Sequence, residues 1–174
     1  KLIALISKVL PKPVLFSVHT QVKLLSKGII LPSESKKLAR QIQKRAKKGI
    51  RLNINVLGEA VLGEAEASER FERVIQMMQR TEVDYVSVKL SSVASQIIAL
   101  DRKGTLGRVS EKLRQIYRTS IATNTFVNLD MEEFKDLRLT VDAFKLVLSE
   151  EEFKNLYAGL VLQAYLPESH EVFA

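Results

Sequence analysis

Four apolar runs in the sequence each end in a polar residue that could take part in a binding or catalytic site. These residues are Glu59, Lys89, Asp130 and Gln163. Together they offer an ammonium, two carboxylates and an amide, a set able to bind a polar ligand and to balance its charge. Lys89 stands out because it lies inside the apolar run 86–90. A buried ammonium must be paired or must serve a function.

A second interpretation of these residues is purely structural. Polar residues at strand ends are common at turns that face solvent, and acidic residues there often cap the next helix. For Glu132 and Glu133 we favour this interpretation, with both carboxylates near the positive end of a helix dipole. For the other four residues, the sequence pattern alone leaves both interpretations open.

The elements that would position these residues alternate between strands and helices. We predict strands over 52–57, 85–90, 126–130 and 159–165, and helices over 64–80, 110–119 and 131–148. One amphipathic helix between successive strands is typical of a parallel sheet. Further helices are predicted over 14–27, before Gly28, and over 33–48, with Ser33 as N-cap and Gly49 at the end.

This alternation fits both a doubly wound sheet and a (β/α) barrel. No glycine-rich nucleotide-binding fingerprint follows any of the four strands, which favours the barrel. In such barrels the active site lies at the carboxyl ends of the strands. The 174 residues fall short of the about 250 that a whole barrel needs. The predicted fold class is therefore α/β: the first four β/α units of a (β/α)8 barrel over 51–174, preceded by a helical arm over 1–50.

The composition argues against several kinds of site and segment. The absence of cysteine excludes disulfides and thiolate metal sites, and it fits a reducing cytoplasm. His19 and His170 are far apart in the sequence, so we predict no metal site. No apolar stretch approaches the ~20 residues of a membrane span. The apolar segment 2–10 lacks a following cleavage site, so we predict no signal peptide and a cytoplasmic location.

Positive charge is concentrated in the N-terminal arm. Residues 1–50 carry twelve Lys and Arg but one acidic residue, Glu34. Seven of these basic residues lie within 36–48 and could bind nucleic acid or an anionic membrane. A non-catalytic basic module is therefore an alternative function. The competing interpretation is a solvated helix face, with Leu38, Ile42 and Ala46 packed on the domain. We regard nucleic acid as the less credible partner.

Four ordered segments carry a resemblance to a known family. They are 53–60 (NINVLGEA), 87–91 (SVKLS), 127–133 (VNLDMEE) and 161–165 (VLQAY). In this order and at these intervals, they resemble the opening strands of the proline dehydrogenase domain, above all in the bifunctional proline utilization A proteins. The resemblance covers about residues 50 to 172, and the arm resembles the helices that precede that barrel only weakly.

The resemblance implies an FAD-dependent oxidation of L-proline to pyrroline-5-carboxylate, with membrane quinone as electron acceptor. It implies that Lys89 lies beside flavin and substrate, and that Asp130 lines the proline pocket, both as catalytic and substrate-binding residues. Gln163 would hydrogen-bond the flavin edge, with Asp130 and Met131 also at the cofactor. Glu59 would pair with a late arginine that helps to close the substrate site.

Two motifs of the later family strands are not found in these 174 residues: an R-L-V-K-G-type flavin motif and a pair of substrate-binding arginines. We therefore expect the chain by itself to bind FAD weakly or not at all and not to turn over proline. The first and fourth strands would have open edges, so we expect self-association, or coverage of the exposed face by the N-terminal helices. Peripheral association with the inner face of the cytoplasmic membrane is a further expectation.

Overall fold

The structure is a computed structural model, and it describes residues 11–26, 35–56, 61, 63–131 and 133–173. The chain groups into two compact units, Lys1–Lys44 and Arg45–Ala174. None of the helices in these described ranges is long and apolar enough to cross a membrane.

The first unit contains helix α1, Pro11–Leu25, and most of helix α2, Ser35–Ala46. On α1 several large apolar side chains face solvent, including Phe16 and Leu25. On α2 Leu38 and Ile42 are buried one turn apart, whereas Ala46 and most of the basic residues are exposed. Helix α2 is followed by Gly49 in a left-handed conformation, φ 73°, as the predicted helix end requires. The predicted N-cap Ser33 and the helix end at Gly28 lie outside the described residues.

The second unit alternates strands with helices. The strands are β1 Ile54–Asn55, β2 Tyr85–Val88, β3 Phe126–Leu129 and β4 Ala158–Leu160. The helices are α3 Glu64–Met78, α4 Leu90–Val93, α5 Arg102–Thr123, α6 Leu137–Leu148 and α7 Pro167–Phe173. Short 3₁₀ turns occupy Ala99–Asp101, Phe134–Asp136 and Glu151–Phe153.

The four strands form one parallel sheet in the order β1-β2-β3-β4. The predicted parallel β/α architecture is thereby confirmed, although every strand is shorter than predicted. Strand order equal to chain order, with a helix in each crossover, is the arrangement of successive units in a (β/α) barrel.

The core lies between the sheet and its helices. Val86, Val88, Val127 and Leu129 are buried on the strands, and α3 and α5 contribute Phe71, Met78, Leu113 and Ile116 at helical spacing. Tyr117 of α5 packs edge-to-face on Phe153, with ring centroids 5.9 Å apart. This apolar layer fixes the orientation of the strands.

The starts of two helices differ most from the sequence prediction. Helix α5 begins at Arg102, eight residues before the predicted start, because the Asp101 carboxylate accepts a hydrogen bond from the N–H of Gly104 at 3.0 Å. At Phe134–Asp136 a 3₁₀ turn replaces part of the predicted helix, and Phe134 is exposed.

Candidate active site

The sheet has one apolar face and one polar face. On β3, Val127 and Leu129 are buried, whereas Phe126, Asn128 and the following Asp130 are half-buried. Because successive strand residues point to opposite faces, these last three side chains lie on the face opposite the helices. In a (β/α) barrel this is the interior face.

A row of polar and small residues crosses this face in register. Asn55 is paired with Ser87, Ser87 with Asn128, and Asn128 with Gly159. We call these four residues the polar row. The row stands where a barrel without a site would place bulky aliphatic side chains, so this face is built for polar contacts.

Lys89 and Asp130 follow Ser87 and Asn128 of the polar row by two residues, and so lie closer to the carboxyl ends of the strands. The N–H of Asp130 donates to the carbonyl of Val88 at 2.9 Å, which continues the ladder between β2 and β3 beyond its last paired residues. Neighbouring strands are about 4.8 Å apart, so the two residues emerge side by side from adjacent strands. Both are half-buried. The structure therefore places Lys89 and Asp130 side by side at the ends of adjacent strands.

Helix α4 fixes the backbone of Lys89. Lys89 is the N-cap residue of α4, and its carbonyl accepts hydrogen bonds from the N–H of Ser92 at 3.1 Å and from the Ser92 hydroxyl at 2.9 Å. The turn from strand to helix is thus closed immediately after the lysine, which holds the residue at the rim of the sheet.

Hydrogen bonds and ring contacts stabilise the polar row and its neighbours, which lie below Lys89 and Asp130. We call this surface the floor of the site. The Asn128 amide donates to the Tyr85 hydroxyl at 2.9 Å. The Tyr85 ring meets Phe126 edge-to-face, with centroids 5.1 Å apart, and the Arg51 guanidinium lies 5.3 Å from the Tyr85 ring centroid. The Asn53 amide donates to the Ser87 hydroxyl at 2.8 Å. These contacts leave the floor little freedom to rearrange.

Gly159 allows β4 to approach this floor. A Cβ atom at this position would lie 1.8 Å from the Asn128 Oδ1 and 3.1 Å from the Phe126 Cζ. The position therefore requires glycine because of space and not because of backbone conformation. Glycine here lets the Asn128 amide keep its bond to Tyr85 beneath the rim.

The other predicted site residues occupy different surroundings. Gln163 lies three residues beyond β4 in a half-buried turn, where its carbonyl accepts from the N–H of Leu166 at 3.0 Å. The Met131 side chain is 2% exposed and packs with Leu137 and Val141 on the helix side of the sheet. The structure thus does not bring the Met131 side chain to the face of Lys89 and Asp130. Glu59 lies outside the described residues.

The sequence interpretation missed the polar row and its support. The signal was present as period-two alternation, since Asn53 and Asn55, Ser87 and Lys89, and Asn128 and Asp130 each alternate with apolar residues. Strands were identified from their apolar residues, so the polar partners were counted only at the strand ends.

Parallel β/α units with polar residues at the carboxyl ends of the strands place the chain in the class of (β/α)-barrel proteins. Residues 38–174 match the family model described as Proline dehydrogenase. The chain belongs to the proline dehydrogenase family.

Individual relatives agree with this assignment. The chain is 31% identical over 133 residues to a proline dehydrogenase of Deinococcus radiodurans, an alignment that covers 74% of this chain and 41% of the relative. Among solved structures, proline utilization A from Corynebacterium freiburgense is 42% identical with a TM-score of 0.79, covering 87% of this chain and 16% of that protein.

A second solved structure, proline utilization A from Bdellovibrio bacteriovorus inactivated by N-propargylglycine, is 26% identical with a TM-score of 0.80. This alignment covers 89% of this chain and 18% of that protein. The chain therefore spans less than half the length of each of these relatives.

Proposed function

We propose that this chain supplies the first half of the active site of an FAD-dependent proline dehydrogenase, which oxidises L-proline to pyrroline-5-carboxylate in proline catabolism. The observation that carries the proposal is the pair Lys89 and Asp130, which emerge from adjacent strands at the carboxyl end of the polar face. Membership of the proline dehydrogenase family supplies the reaction class.

Each predicted site residue has a role in this proposal. Lys89 and Asp130 line the substrate pocket, where an ammonium and a carboxylate can meet the two opposite charges of the proline zwitterion. Gln163 hydrogen-bonds the flavin edge through its amide. Glu59, outside the described residues, pairs with an arginine of a later strand. Met131 would reach the cofactor only through its main chain, because its side chain is in the core.

The donor set fits the ring end of a flavin. An amide and a cation offer hydrogen bonds to its polar edge, and the polar row below them is held by the contacts of Asn128 and Tyr85. When bound, FAD accepts the electrons of the oxidation. The protein has to hold substrate and cofactor in a productive arrangement, and it balances charge through Lys89 and Asp130.

Membrane quinone as electron acceptor belongs to the same proposal, with a cytoplasmic location and peripheral attachment to the inner face of the cytoplasmic membrane. The exposed basic residues of α2 support this part, because clustered cations are attracted to anionic lipid at about 1 kcal/mol per Lys or Arg.

We further propose that the 174 residues by themselves bind FAD weakly or not at all and do not turn over proline. Two observations support this proposal: the four-stranded sheet of the described residues is open, and the sequence lacks the later flavin and arginine motifs. A flavin absorbance band with proline-dependent dye reduction by the isolated chain would contradict this part alone.

A chimera tests the active-site proposal. The matching segment of the Corynebacterium freiburgense protein is replaced by this chain, and proline-dependent dye reduction is measured. We expect turnover, and a loss of about a hundredfold in kcat/KM for Lys89→Met and for Asp130→Asn, the scale for removal of one charge-stabilising group.

The matched controls are Lys103→Met and Glu72→Gln, both at exposed positions on helices. They should leave turnover unchanged. Full activity of folded Lys89→Met and Asp130→Asn chimeras would show that the pair has no role in the reaction.

A further inference from the structure

A cavity lies between the amino-terminal ends of α5 and α6, and it also borders Ser91, two residues beyond Lys89. Its volume is about 270 Å³, and its lining includes Ile98, Arg102, Lys135, Asp136, Arg138 and Leu139. Lys89, Asp130 and Gln163 are not among the residues that line it. Pockets for drug-sized ligands measure roughly 300–1,000 Å³, so this cavity suits a ligand smaller than those.

Asp136 is the most informative residue of the cavity. It is 7% exposed, and its carboxylate forms no hydrogen bond with the described residues. It occupies the N-cap position of α6 without accepting from that helix, and its own N–H donates to the carbonyl of Glu133 at 2.9 Å. A buried carboxylate is costly unless it is paired, so this one is suited to a ligand that brings a cationic donor.

Three cations also line the cavity, and each has an acidic partner outside the lining. Arg102 contacts Asp142, the Arg138 Nη2 lies 3.0 Å from the Glu171 Oε2, and the Lys135 Nζ lies 2.7 Å from the Glu133 Oε2. A guanidinium carries five N–H donors in a fixed fork. One acidic partner therefore leaves each arginine with donors for the carboxylate of a ligand.

Most of the remaining wall of the cavity is apolar, apart from Ser91 and Thr105. Val61, Ile97, Ile98 and Leu139 contribute aliphatic side chains. A ligand that fills the cavity must therefore present an aliphatic surface together with its charges.

We propose that this cavity binds a small zwitterionic α-amino acid with an aliphatic side chain. Its ammonium meets Asp136, its carboxylate meets Arg102 and Arg138, and its side chain packs on Ile98 and Leu139. A simple anion would be repelled by Asp136 and would leave that carboxylate unpaired. A metal cation would be repelled by Arg102, Lys135 and Arg138. The zwitterion satisfies both signs of charge at once.

Titration calorimetry of the 174-residue chain with L-valine tests this proposal. We expect saturable binding of L-valine and none of N-acetyl-L-valine, which lacks the ammonium, or of L-valinamide, which lacks the carboxylate. Asp136→Asn should weaken L-valine binding at least tenfold. Leu139→Trp, which fills the cavity, should abolish it, with folding of each variant checked by circular dichroism.

Two control variants complete the design. Glu133→Gln changes an exposed carboxylate of the same turn that does not line the cavity, and it should bind L-valine as the unchanged chain does. Lys89→Met should also bind it, because Lys89 does not line the cavity.

The absence of a saturable signal with the folded chain, or equal binding by Asp136→Asn or by the blocked derivatives, would overturn the proposal. Loss of binding in Lys89→Met would assign the signal to the candidate active site instead. Because the cavity does not depend on proline oxidation, either result leaves the proposed function to its own test.

Discussion

Asp136 is a largely buried carboxylate that lines the cavity, and no hydrogen bond joins it to the described residues. Burial raises the pKa of Asp136 above its ordinary value; nearby Lys135 opposes the rise and Glu133 adds to it. The contribution of this group to the free energy of unfolding is most favourable below its unfolded pKa of about 3.9. That contribution is lost as the pH rises through the raised folded pKa. At neutral pH the charged form therefore destabilises the native chain.

We predict that Asp136→Asn increases the free energy of unfolding near neutral pH by about 1 kcal/mol, the lower end of the cost of an unpaired buried polar group. The gain should shrink as the pH falls toward about 4. Urea denaturation at a series of pH values measures both effects. Glu133→Gln, at an exposed carboxylate of the same turn, should show a much smaller and flatter difference. A less stable Asp136→Asn at neutral pH would mean that the carboxylate is already paired within the chain.

Some residues of the candidate site could be predicted from the sequence and others could not. Lys89 and Asp130 were found because a charge at the end of an apolar run is a local signal. Asn128 was missed because its partner, Tyr85, is 43 residues away in the chain, and the contact exists only after β2 and β3 pair. The sequence likewise does not show that Asp136 is buried, since neighbouring Lys135 and Arg138 remain exposed.

At the scale of elements, periodicity predicted the order of strands and helices but not their ends. The apolar face of α5 is regular, yet its first turns contain Gly104 and Gly107, which have poor helix propensity. The Asp101 cap and the hydrogen bonds of the Thr105 hydroxyl with the backbone of Ile98 extend the helix through this segment. Such side-chain contacts decide a helix boundary, and apolar periodicity contains no information about them.

The contact between β3 and β4 yields a prediction at this scale. Gly159→Ala would place a Cβ against the Asn128 side chain, so Asn128 or β4 must move and the bond to Tyr85 is strained. We expect a loss of about 1–3 kcal/mol in the free energy of unfolding, the usual cost of overpacking, as measured by urea denaturation.

Gly107→Ala is the matched control for this substitution. Gly107 lies within α5, and a Cβ there would meet nothing within 4 Å. The same change should therefore stabilise the chain by about 0.5–1 kcal/mol through helix propensity. Equal effects of the two substitutions would show that the close approach of Gly159 to Asn128 is not part of the solution structure.

At the scale of the whole molecule, the described sheet has two outer strands, β1 and β4, each paired on one side. Unpaired strand edges with nearby apolar side chains favour association between chains. Beside β4, Tyr157 and Tyr165 are strongly exposed, and Val161 is 36% exposed. We therefore predict that the 174-residue chain self-associates in solution through the β4 edge.

Sedimentation velocity over a concentration series tests this prediction. Val161→Lys places a charge beside the edge and should shift the distribution toward monomer, because charged side chains at strand edges oppose pairing. Leu100→Lys is the control: Leu100 is fully exposed in the 3₁₀ turn before α5, so it should lower association only if scattered apolar exposure is the cause. A monomer at every concentration would contradict the prediction.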